Sequence, residues 1–447
     1  MPTLPPLFID QVKDQLPDEW GDLVQSLEEP SPISVNYNTK KQSNALFAGD
    51  PIPWNSQGQY LEKRPSFTLD PHFQAGRYYV QEAGSMFIAY VLDQIQKDKK
   101  FQTALDLCAA PGGKTTLLLN QLPNDCLVVA NEVIKSRYQV LKENLAKWGR
   151  ANIIATNADS KYFGPLEGRF DVVLVDAPCS GEGLFRKTPD ARKEWSRENV
   201  QLCQSRQKRI LSNALPLLSD GGFLIYSTCT YNFAENDHNV NWIINQGAFE
   251  TVQLDIPAAW GIHQTRHGYQ FYPHRTRSEG FYISILRKTD GSNRHKKIPS
   301  LKYYQPLSKK ESTLPSQWLK NAEAFQLYAN PKQELFFLPT IAKDLFALLS
   351  QTLPKVDPGT PMGIVKGKDL VPAHELALSI HLQEGIHQWK VNTVDAINYM
   401  RKTDQKPPTS LVKGWHLVSF DGAGLGWVKV LPNRMNNYFP KHLRIRK

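Results

Sequence analysis

The sequence predicts a doubly wound α/β core with a small N-terminal domain and a β-rich C-terminal domain. Between residues 100 and 290, short apolar runs alternate with amphipathic stretches, which is typical of a parallel sheet covered by helices. Near the start, apolar residues recur at helical spacing from Phe8 to Leu16, so a small helical or mixed cap is expected. Near the end, a DGAGLG turn separates the apolar runs Trp415–Phe420 and Trp427–Leu431, which indicates a hairpin.

The core elements follow in a regular order. The run FDVVLV is nearly continuous and β-branched, as in strands that are buried on both faces. Asp220-Gly221-Gly222 is expected to turn the chain into the fifth strand. The predicted strands are Thr103–Leu107, Cys126–Ala130, Asn152–Ala155, Phe170–Val175, Phe223–Tyr226 and Phe281–Leu286. The predicted helices are Lys114–Gln121, Ile134–Trp148, Ser196–Leu218 and Asn236–Asn245.

The composition is that of a folded protein with an uneven charge. Hydrophobic residues make up 41% and charged residues 21% of the 447 residues, which excludes wholesale disorder. The net charge of +10 is distributed as −5 over residues 1–60, +3 over 61–290 and +12 over 291–447. A basic C-terminal third indicates a polyanion-binding appendage, although a solvated surface would give the same count. Charge alone leaves both interpretations open.

The cysteines do not indicate a disulfide framework. Five of them are spread over a long chain without a C-x-x-C pair, so neither structural disulfides nor a metal site is expected. No uninterrupted apolar run reaches the roughly 18 residues of a membrane span, and the N-terminus lacks the pattern of a secretory signal. We therefore expect a cytoplasmic protein without a membrane partner.

The segment between the first core strand and the next helix, 106–116, has the composition of a nucleotide-binding loop. Its glycines let the backbone approach a ligand, and the N–H groups at the start of the helix face a carboxylate or a phosphate. Gly113-Lys114-Thr115 matches the end of a P-loop, but the first glycine of that pattern would stand at Cys108. A G-x-G-x-x-G dinucleotide fingerprint is also missing from the sequence.

Acidic residues follow four successive core strands: Asp106, Glu132, Asp159 and Asp176. Any one of them alone would be interpreted as a surface residue. Four at the same edge of one sheet favour a nucleoside cofactor, whose ribose hydroxyls are held by the acidic residue after the second strand. Because a phosphate fingerprint is lacking, S-adenosylmethionine (SAM) is the best candidate.

Two cysteines follow the fourth and fifth core strands, in Asp176-Ala-Pro-Cys179 and Ser227-Thr-Cys229. Neighbouring strand ends would bring both thiols next to the cofactor loop. A lone cysteine is usually a small buried hydrophobic residue, which suits Cys126 and Cys203 but not two thiols in polar loops.

Two thiols and a carboxyl group suit methylation of a cytosine at carbon 5. That carbon is too weak a nucleophile to accept a methyl group directly. A thiolate that adds to carbon 6 makes carbon 5 enamine-like, and a carboxylic acid at ring nitrogen 3 assists the addition. Enzymes that methylate exocyclic amines commonly have an Asp/Asn-Pro-Pro-aromatic loop, which here reads Asp-Ala-Pro-Cys. The residues alone leave open which thiol attacks.

These linked motifs resemble the Nol/Nop/Sun family of RNA cytosine-C5 methyltransferases. The resemblance covers roughly residues 70–290 and rests on DLCAAPGGKTT, DAPCSGEG and STCTY, with GRYYVQEAGS before them and EGF after them. The C-terminal GLGWVK and NYFPKHLR are similar to the PUA-like tail of the bacterial RsmF branch. The resemblance implies a Rossmann-like, SAM-dependent core and, as substrate, one cytosine of small-subunit (16S) ribosomal RNA.

The resemblance also implies a role for each site residue. Cys229 is the nucleophile, Cys179 helps to release the product, and Asp176 and Lys114 lie near the base. The residues implied to line the cofactor are Cys108, Ala109, Ala110, Pro111, Gly112, Gly113, Lys114, Glu132, Asp159 and Asp176.

Five parts are expected along the chain. They are an N-terminal RNA-binding cap (1–70), a methyltransferase core (71–290), a basic linker (291–312), an accessory domain (313–385) and a PUA-like RNA-binding domain (386–447). Ribosomal RNA, free or within the small subunit, is the expected partner of a monomeric protein. Three alternatives remain, namely another RNA such as tRNA, a non-catalytic RNA-binding assembly factor, and a DNA cytosine methyltransferase.

RNA contacts are expected from basic and aromatic residues of the C-terminal third. For any one aromatic residue, packing in a core is the commoner role. The candidates are Lys296, Lys297, Lys309, Lys310, Arg401, Lys402 and Lys441–Lys447, with Tyr303, Tyr304, Trp427, Tyr438 and Phe439.

Overall fold

The N-terminal part combines two helices with a small antiparallel sheet. The computed structural model describes residues 3–97, 99–290, 298–301 and 303–446. The helical spacing predicted from Phe8 onward is confirmed, since the first helix buries Phe8 and Val12. The elements are α1 (Pro6–Gln15), α2 (Trp20–Ser26), β1 (Ser34–Tyr37), β2 (Pro51–Ile52), β3 (Asn55–Tyr60), α3 (Pro71–Gln74) and β4 (Tyr78–Val80), with the sheet order β2-β3-β1-β4.

The central part is a mixed sheet covered by helices on both faces. The strands are β5 (Thr103–Asp106), β6 (Leu127–Asn131), β7 (Ile153–Thr156), β8 (Phe170–Asp176), β9 (Leu218–Thr228), β10 (Phe249–Thr251), β11 (His263–Gln264), β12 (Tyr269–Phe271) and β13 (Phe281–Lys288). The helices are α4 (Phe87–Ile95), α5 (Gly113–Gln121), α6 (Lys135–Trp148), α7 (Ala191–Glu194), α8 (Arg197–Ala214) and α9 (Asp237–Ile244).

The strand order confirms the predicted doubly wound core. Strands run parallel in the order β7-β6-β5-β8-β9, and β13 adds antiparallel to β9. The order reverses between β5 and β8, because β6 and β7 extend to one side and β9 to the other. In sheets of this kind the ligand lies beyond the carboxyl ends of the strands at that point.

Two expectations at the fifth strand were wrong. The helix predicted over Ser196–Leu218 ends at Ala214, where a short 3-10 turn precedes the strand. The strand begins at Leu218 rather than Phe223, and Asp220–Gly222 lies inside it. These residues form a bulge, because the pairing with β8 shifts register at this place.

The C-terminal part forms two further sheets and lends one strand to the core. The strands are β14 (Gln305–Pro306), β15 (Phe325–Ala329), β16 (Leu335–Pro339), β17 (Val356–Pro358), β18 (Thr360–Lys366), β19 (Asp369–Pro372), β20 (Gln388–Lys390), β21 (Gly414–Phe420), β22 (Ala423–Leu431) and β23 (Arg434–Asn437). The helices are α10 (Lys309–Ser316), α11 (Lys343–Thr352), α12 (His374–Leu378) and α13 (Thr393–Arg401). Strand β17 pairs antiparallel with β7, so the third part of the chain completes one edge of the central sheet.

Part of the segment predicted as a linker has regular structure. Strand β14 and the first turn of α10 fall within 291–312, while residues 291–297 and 302 lie outside the described residues. Helix α10 begins with a capping box in which Ser308 and Glu311 satisfy each other's backbone N–H groups. In the ranges that the structure describes, no helix is both long and apolar enough to cross a bilayer.

Candidate active site

Three loops that leave the sheet next to the reversal of strand order carry most of the predicted site. They follow β5, β8 and β9, and β8 is paired in parallel with both of the other strands. The register sets Asp176 opposite Ser227 at the carboxyl ends of β8 and β9. The polar residues after these strands therefore lie side by side, as the sequence predicts.

The two thiols of the site are in direct contact. The Sγ atoms of Cys179 and Cys229 lie 3.0 Å apart, and the backbone N–H of Cys229 donates to Sγ of Cys179 at 3.3 Å. Both side chains are partly exposed and neither is in a disulfide. The hydrogen-bonded Cys229 thiol and burial raise the pKa of Cys179 well above its ordinary value. Cys179 is therefore the protonated partner that can donate its S–H to Cys229.

A polar group of three side chains stands beside the thiols. Nζ of Lys114 donates to Oδ2 of Asp176 at 2.8 Å, and the hydroxyl of Ser227 donates to Oδ1 at 2.9 Å. Burial works against the Lys114 ammonium, but the charge of Asp176 and its hydrogen bond leave the pKa of Lys114 raised. Nζ also lies 5.5 Å from the centre of the Phe281 ring. The group places the Lys114–Asp176 ion pair next to Cys229.

The loop after β5 is tied to the neighbouring elements by its carbonyl oxygens. Arg137 donates to the carbonyl of Ala110 at 2.6 Å, and Asn144 donates to that of Pro111 at 2.8 Å. Gly112 has a φ of 115°, a conformation that favours glycine, just before α5 begins at Gly113. The N–H of Ala109 donates to the carbonyl of Asn131 at 2.8 Å, so the loop is anchored to both β6 and α6.

Asp106 lies under this loop and is fully buried. Its Oδ2 accepts from the Thr115 hydroxyl at 2.7 Å, whereas Oδ1 has no hydrogen-bond partner among the residues that the structure describes. Burial raises the pKa of Asp106 to about 7. Burial also raises the pKa of the Cys108 thiol, as do the neighbouring carboxylates. Cys108 is thus a neutral residue in the wall of the site.

The other two predicted carboxylates differ in their surroundings. Glu132 is buried, and its Oε1 accepts from the backbone N–H of Ile134 at 2.8 Å. Asp159 caps a 3-10 turn by accepting from Lys161 N–H at 3.0 Å, and it pairs with Arg209 at 3.1 Å. Burial alone would raise the pKa of Asp159, but these partners hold it below its usual range. Asp159 is thus paired with a basic side chain, a contact that the sequence did not indicate.

The residues predicted to contact RNA include some that are buried and some that are exposed. Trp427 and Phe439 are buried, and Nζ of Lys402 donates to the carbonyls of Asn437 and Phe439 at 2.8 and 2.7 Å. These three residues belong to the C-terminal core. Tyr438 remains 40% exposed, so its ring is available at the surface. Lys296, Lys297 and Lys447 lie outside the described residues.

Sequence reasoning missed the buried residues that join the two cysteine loops. Glu182 accepts from the Trp195 indole at 2.9 Å and from Tyr231 N–H at 3.0 Å. Glu235 accepts from Ser180 N–H at 3.0 Å and from the Gln207 amide at 2.7 Å. Glu182 stands in the DAPCSGEG motif, which was a usable signal, but nothing in the sequence marks Gln207.

This fold and this site define a methyltransferase of the Rossmann-like class, with an N-terminal domain and a PUA C-terminal domain. Three family models match consecutive parts of the chain. They describe the N-terminal domain of 16S rRNA methyltransferase RsmF (residues 4–83), 16S rRNA methyltransferase RsmB/F (90–287) and the methyltransferase RsmF PUA domain (389–445). The chain belongs to the RsmB/F family of methyltransferases and has the domain set of its RsmF members.

Individual relatives agree with this placement. Ribosomal RNA small subunit methyltransferase F of Escherichia coli (strain E24377A) is 29% identical over 479 aligned positions, covering 98% of this chain and 96% of that protein. A methyltransferase homolog protein from Pyrococcus horikoshii is 29% identical with a TM-score of 0.55, covering 63% of this chain and 94% of that one. NSun6 from the same organism, solved with SFG, shares the fold at 20% identity and a TM-score of 0.55, covering 64% and 99%.

Proposed function

We propose that the protein transfers a methyl group from SAM to carbon 5 of one cytosine in 16S ribosomal RNA. The observation that carries the proposal is the contact of two thiols at 3.0 Å, next to a lysine-paired aspartate at the reversal of strand order. Membership of the RsmB/F family supports an rRNA substrate. Another RNA, such as a tRNA, is the alternative substrate.

The residues around the loop after β5 fit SAM. The buried Asp106 keeps one carboxylate oxygen unpartnered among the described groups, so it can accept from a bound ammonium. Glu132, at the end of β6, can accept from ribose hydroxyls. We infer that these two residues, the loop Cys108–Gly113 and the edge formed by Asp159 and Asp176 would hold the cofactor. When bound, SAM supplies the methyl group through its sulfonium.

Cys229 is proposed as the nucleophile. Cys229 lies within electrostatic reach of the Lys114 ammonium, and the neighbouring Cys179 is held protonated. The thiolate adds to carbon 6 of the cytosine, and the carboxyl group of Asp176 is proposed to donate a proton to ring nitrogen 3. Ser227 and Lys114 orient this carboxyl group through its two oxygens. Carbon 5 then attacks the methyl group.

Cys179 is proposed to act in the release of the product. Ring nitrogen 3 returns its proton to Asp176, and a water molecule takes the proton from carbon 5. The carbon 5–carbon 6 double bond re-forms, and the bond between carbon 6 and Sγ of Cys229 breaks. The electron pair of that bond returns to Sγ of Cys229 as a thiolate. The S–H of Cys179, 3.0 Å away, can stabilise the leaving thiolate by a hydrogen bond.

The RNA has to present an unpaired cytosine. A base inside a helix cannot reach the thiols, so the target must leave its stack or lie in a single-stranded segment. The basic C-terminal third and its PUA domain are proposed to bind the surrounding RNA backbone. A ribosomal substrate would place the protein in the cytoplasm.

Methyl transfer from labelled SAM tests the proposal. The wild type is expected to label 16S rRNA, and digestion of that RNA should yield 5-methylcytidine; tRNA and DNA serve as alternative substrates. Cys229→Ala should abolish labelling and form no covalent RNA complex, whereas Cys179→Ala should accumulate one on a denaturing gel. Cys126→Ala, a buried cysteine just before β6, is the matched control and should retain activity. Labelling of another base, or no transfer to RNA at all, would refute the proposal.

A further inference from the structure

The peptide on both sides of Cys179 is held by two buried side chains. The amide Nε2 of Gln207 donates to the carbonyl of Pro178 at 3.0 Å, on the N-terminal side. Oε2 of Glu235 accepts from the N–H of Ser180 at 3.0 Å, on the C-terminal side. Gln207 also donates to the same Oε2 at 2.7 Å. The two side chains thus form one unit around the Cys179 backbone.

This unit is itself fixed by the surrounding structure. Glu235 and Gln207 are fully buried, and Oε1 of Gln207 accepts from the Asn239 amide at 2.8 Å. The carbonyl of Glu235 accepts from the Tyr226 hydroxyl at 2.6 Å. Since Glu235 follows Cys229 in the same loop, it connects the loop of one thiol to that of the other.

Glu235 does not have the surroundings of an ordinary stabilising carboxylate. Its Oε1 is buried without a hydrogen-bond partner within the described part of the chain, and burial raises its pKa to about 7. A buried carboxyl group in contact only with neutral donors costs stability relative to an apolar residue. Its placement between the two cysteine loops indicates a role in the site instead.

We propose that Glu235, together with Gln207, is a positioning residue that keeps Cys179 within hydrogen-bond reach of Cys229 during product release. The inference rests on the proposed function, in which Cys179 stabilises the thiolate that leaves carbon 6. Among the residues that the structure describes, the hydrogen bonds of the Cys179 Sγ are all to Cys229, so its position depends on the backbone that carries it. A shift of that backbone therefore moves the thiol directly, and a displacement near 1 Å can cost on the order of a hundredfold in rate.

Two substitutions at Glu235 separate its hydrogen bonds from its charge. Glu235→Ala removes both acceptors and should release methylated RNA on the order of a hundredfold more slowly, so that the covalent adduct accumulates as in Cys179→Ala. Glu235→Gln can place its amide oxygen at the Oε2 position and its NH₂ at the unpartnered Oε1 position. It should therefore release RNA at close to the wild-type rate.

Gln207→Ala tests the other half of the unit and does not depend on whether Glu235→Ala folds. It removes the bond to Pro178 and should also accumulate adduct. Gln204→Ala is its matched control, because Gln204 lies on the same helix and donates to Ala234 at 2.7 Å without contacting the Cys179 peptide. Adduct fractions after a single turnover, with the melting temperature of each variant, are the readouts.

The outcomes are distinguishable. If Cys179→Ala traps adduct but Glu235→Ala and Gln207→Ala release RNA like the wild type, the inference is overturned and the proposed function stands. Loss of adduct formation in both variants, as complete as in Cys229→Ala, or a Glu235→Gln that behaves like Glu235→Ala, also overturns it. If Cys179→Ala traps nothing, the proposed function fails first.

Discussion

The pKa values of single residues around the site are set by the groups that surround them. Asp106, Glu182 and Glu235 are all fully buried, and burial raises the pKa of each. Cys179 is held protonated by its contact with Cys229. These states cannot be inferred from residue type, because an exposed aspartate and a buried one differ only in what surrounds them.

Asp106 predicts a pH dependence of stability. Its pKa lies at about 7 in the folded protein against a usual value of 3.8, so between about pH 4 and 7 the folded state holds a proton that the unfolded chain has released. Stability should fall as the pH rises through this window. Asp106→Asn cannot ionise and should gain stability relative to the wild type from pH 5 to pH 8, as measured by chemical denaturation.

The exposed Asp18 provides the control for this measurement. Asp18→Asn should differ from the wild type by the same amount at pH 5 and pH 8. If the difference in unfolding free energy between Asp106→Asn and the wild type did not change with pH, the pKa of Asp106 would be similar in the folded and the unfolded chain, contrary to this prediction.

At the scale of elements, helix α1 packs against the loop after β8, which carries Cys179. The ring of Phe8 packs edge-on against Phe185 at 4.9 Å and Trp195 at 5.9 Å, and the Gln11 amide donates to Glu182 at 3.2 Å. Helix α1 thereby braces the loop after β8. The expectation that residues 1–70 bind RNA stays a prediction, but the start of this segment already has a packing role against the site.

The loop after β8 also packs tightly against the hairpin before β13. A Cβ atom added to Gly183 would lie 2.3 Å from the carbonyl oxygen of Gly280, so the backbone would have to move. Gly183→Ala should therefore lower the free energy of unfolding by about 1–3 kcal/mol and reduce methyl transfer. Gly164→Ala, where nothing lies within 4 Å, should change stability by no more than about 0.5 kcal/mol. Equal effects in urea denaturation would contradict this account of the contact.

The elements themselves were largely predictable from local patterns. The β-branched run at 170–175 and the glycine-rich loop before α5 are confirmed at nearly the expected bounds. The bulge at Asp220–Gly222 was not foreseen, because a turn signal and a bulge use the same residues and only the pairing with β8 distinguishes them. Gln207 could not be found either, since its partner Pro178 is remote in the chain.

At the scale of the whole molecule, the C-terminal third is joined to the core through a strand and a half-buried carboxylate. Strand β17 completes the sheet beside β7, and Asp357 on this strand accepts from the Tyr138 hydroxyl at 2.6 Å. The same carboxylate pairs with Lys142 and Lys355, each at 2.7 Å. Helix α11 adds apolar residues such as Phe346 to the core on one face of the sheet.

Because of this junction, we expect the central sheet and the five-stranded sheet formed by β14, β15, β16, β18 and β19 to unfold together. Asp357→Ala removes the acceptor of two partly exposed ammonium groups and the shorter of the two hydrogen bonds of the Tyr138 hydroxyl. It should cost about 1–3 kcal/mol of unfolding free energy. Asp369→Ala, which removes a 71% exposed carboxylate 4.0 Å from Lys429, should cost less than about 1 kcal/mol. A separate early transition in Asp357→Ala, with the core unaffected, would show that the two parts are energetically independent.

The sequence by itself determined the fold class, the succession of the core strands along the chain and the candidate residues that follow these strands. It could do so because strand periodicity, turn chemistry and the positions after each strand are local properties of the chain. Only the tertiary structure decided that Asp159 forms an ion pair with Arg209 and that Trp427 is buried. It also decided that Glu235 and Gln207 hold the peptide around Cys179. These contacts join residues far apart in the chain, and burial and charge at such contacts exist only once the chain is folded.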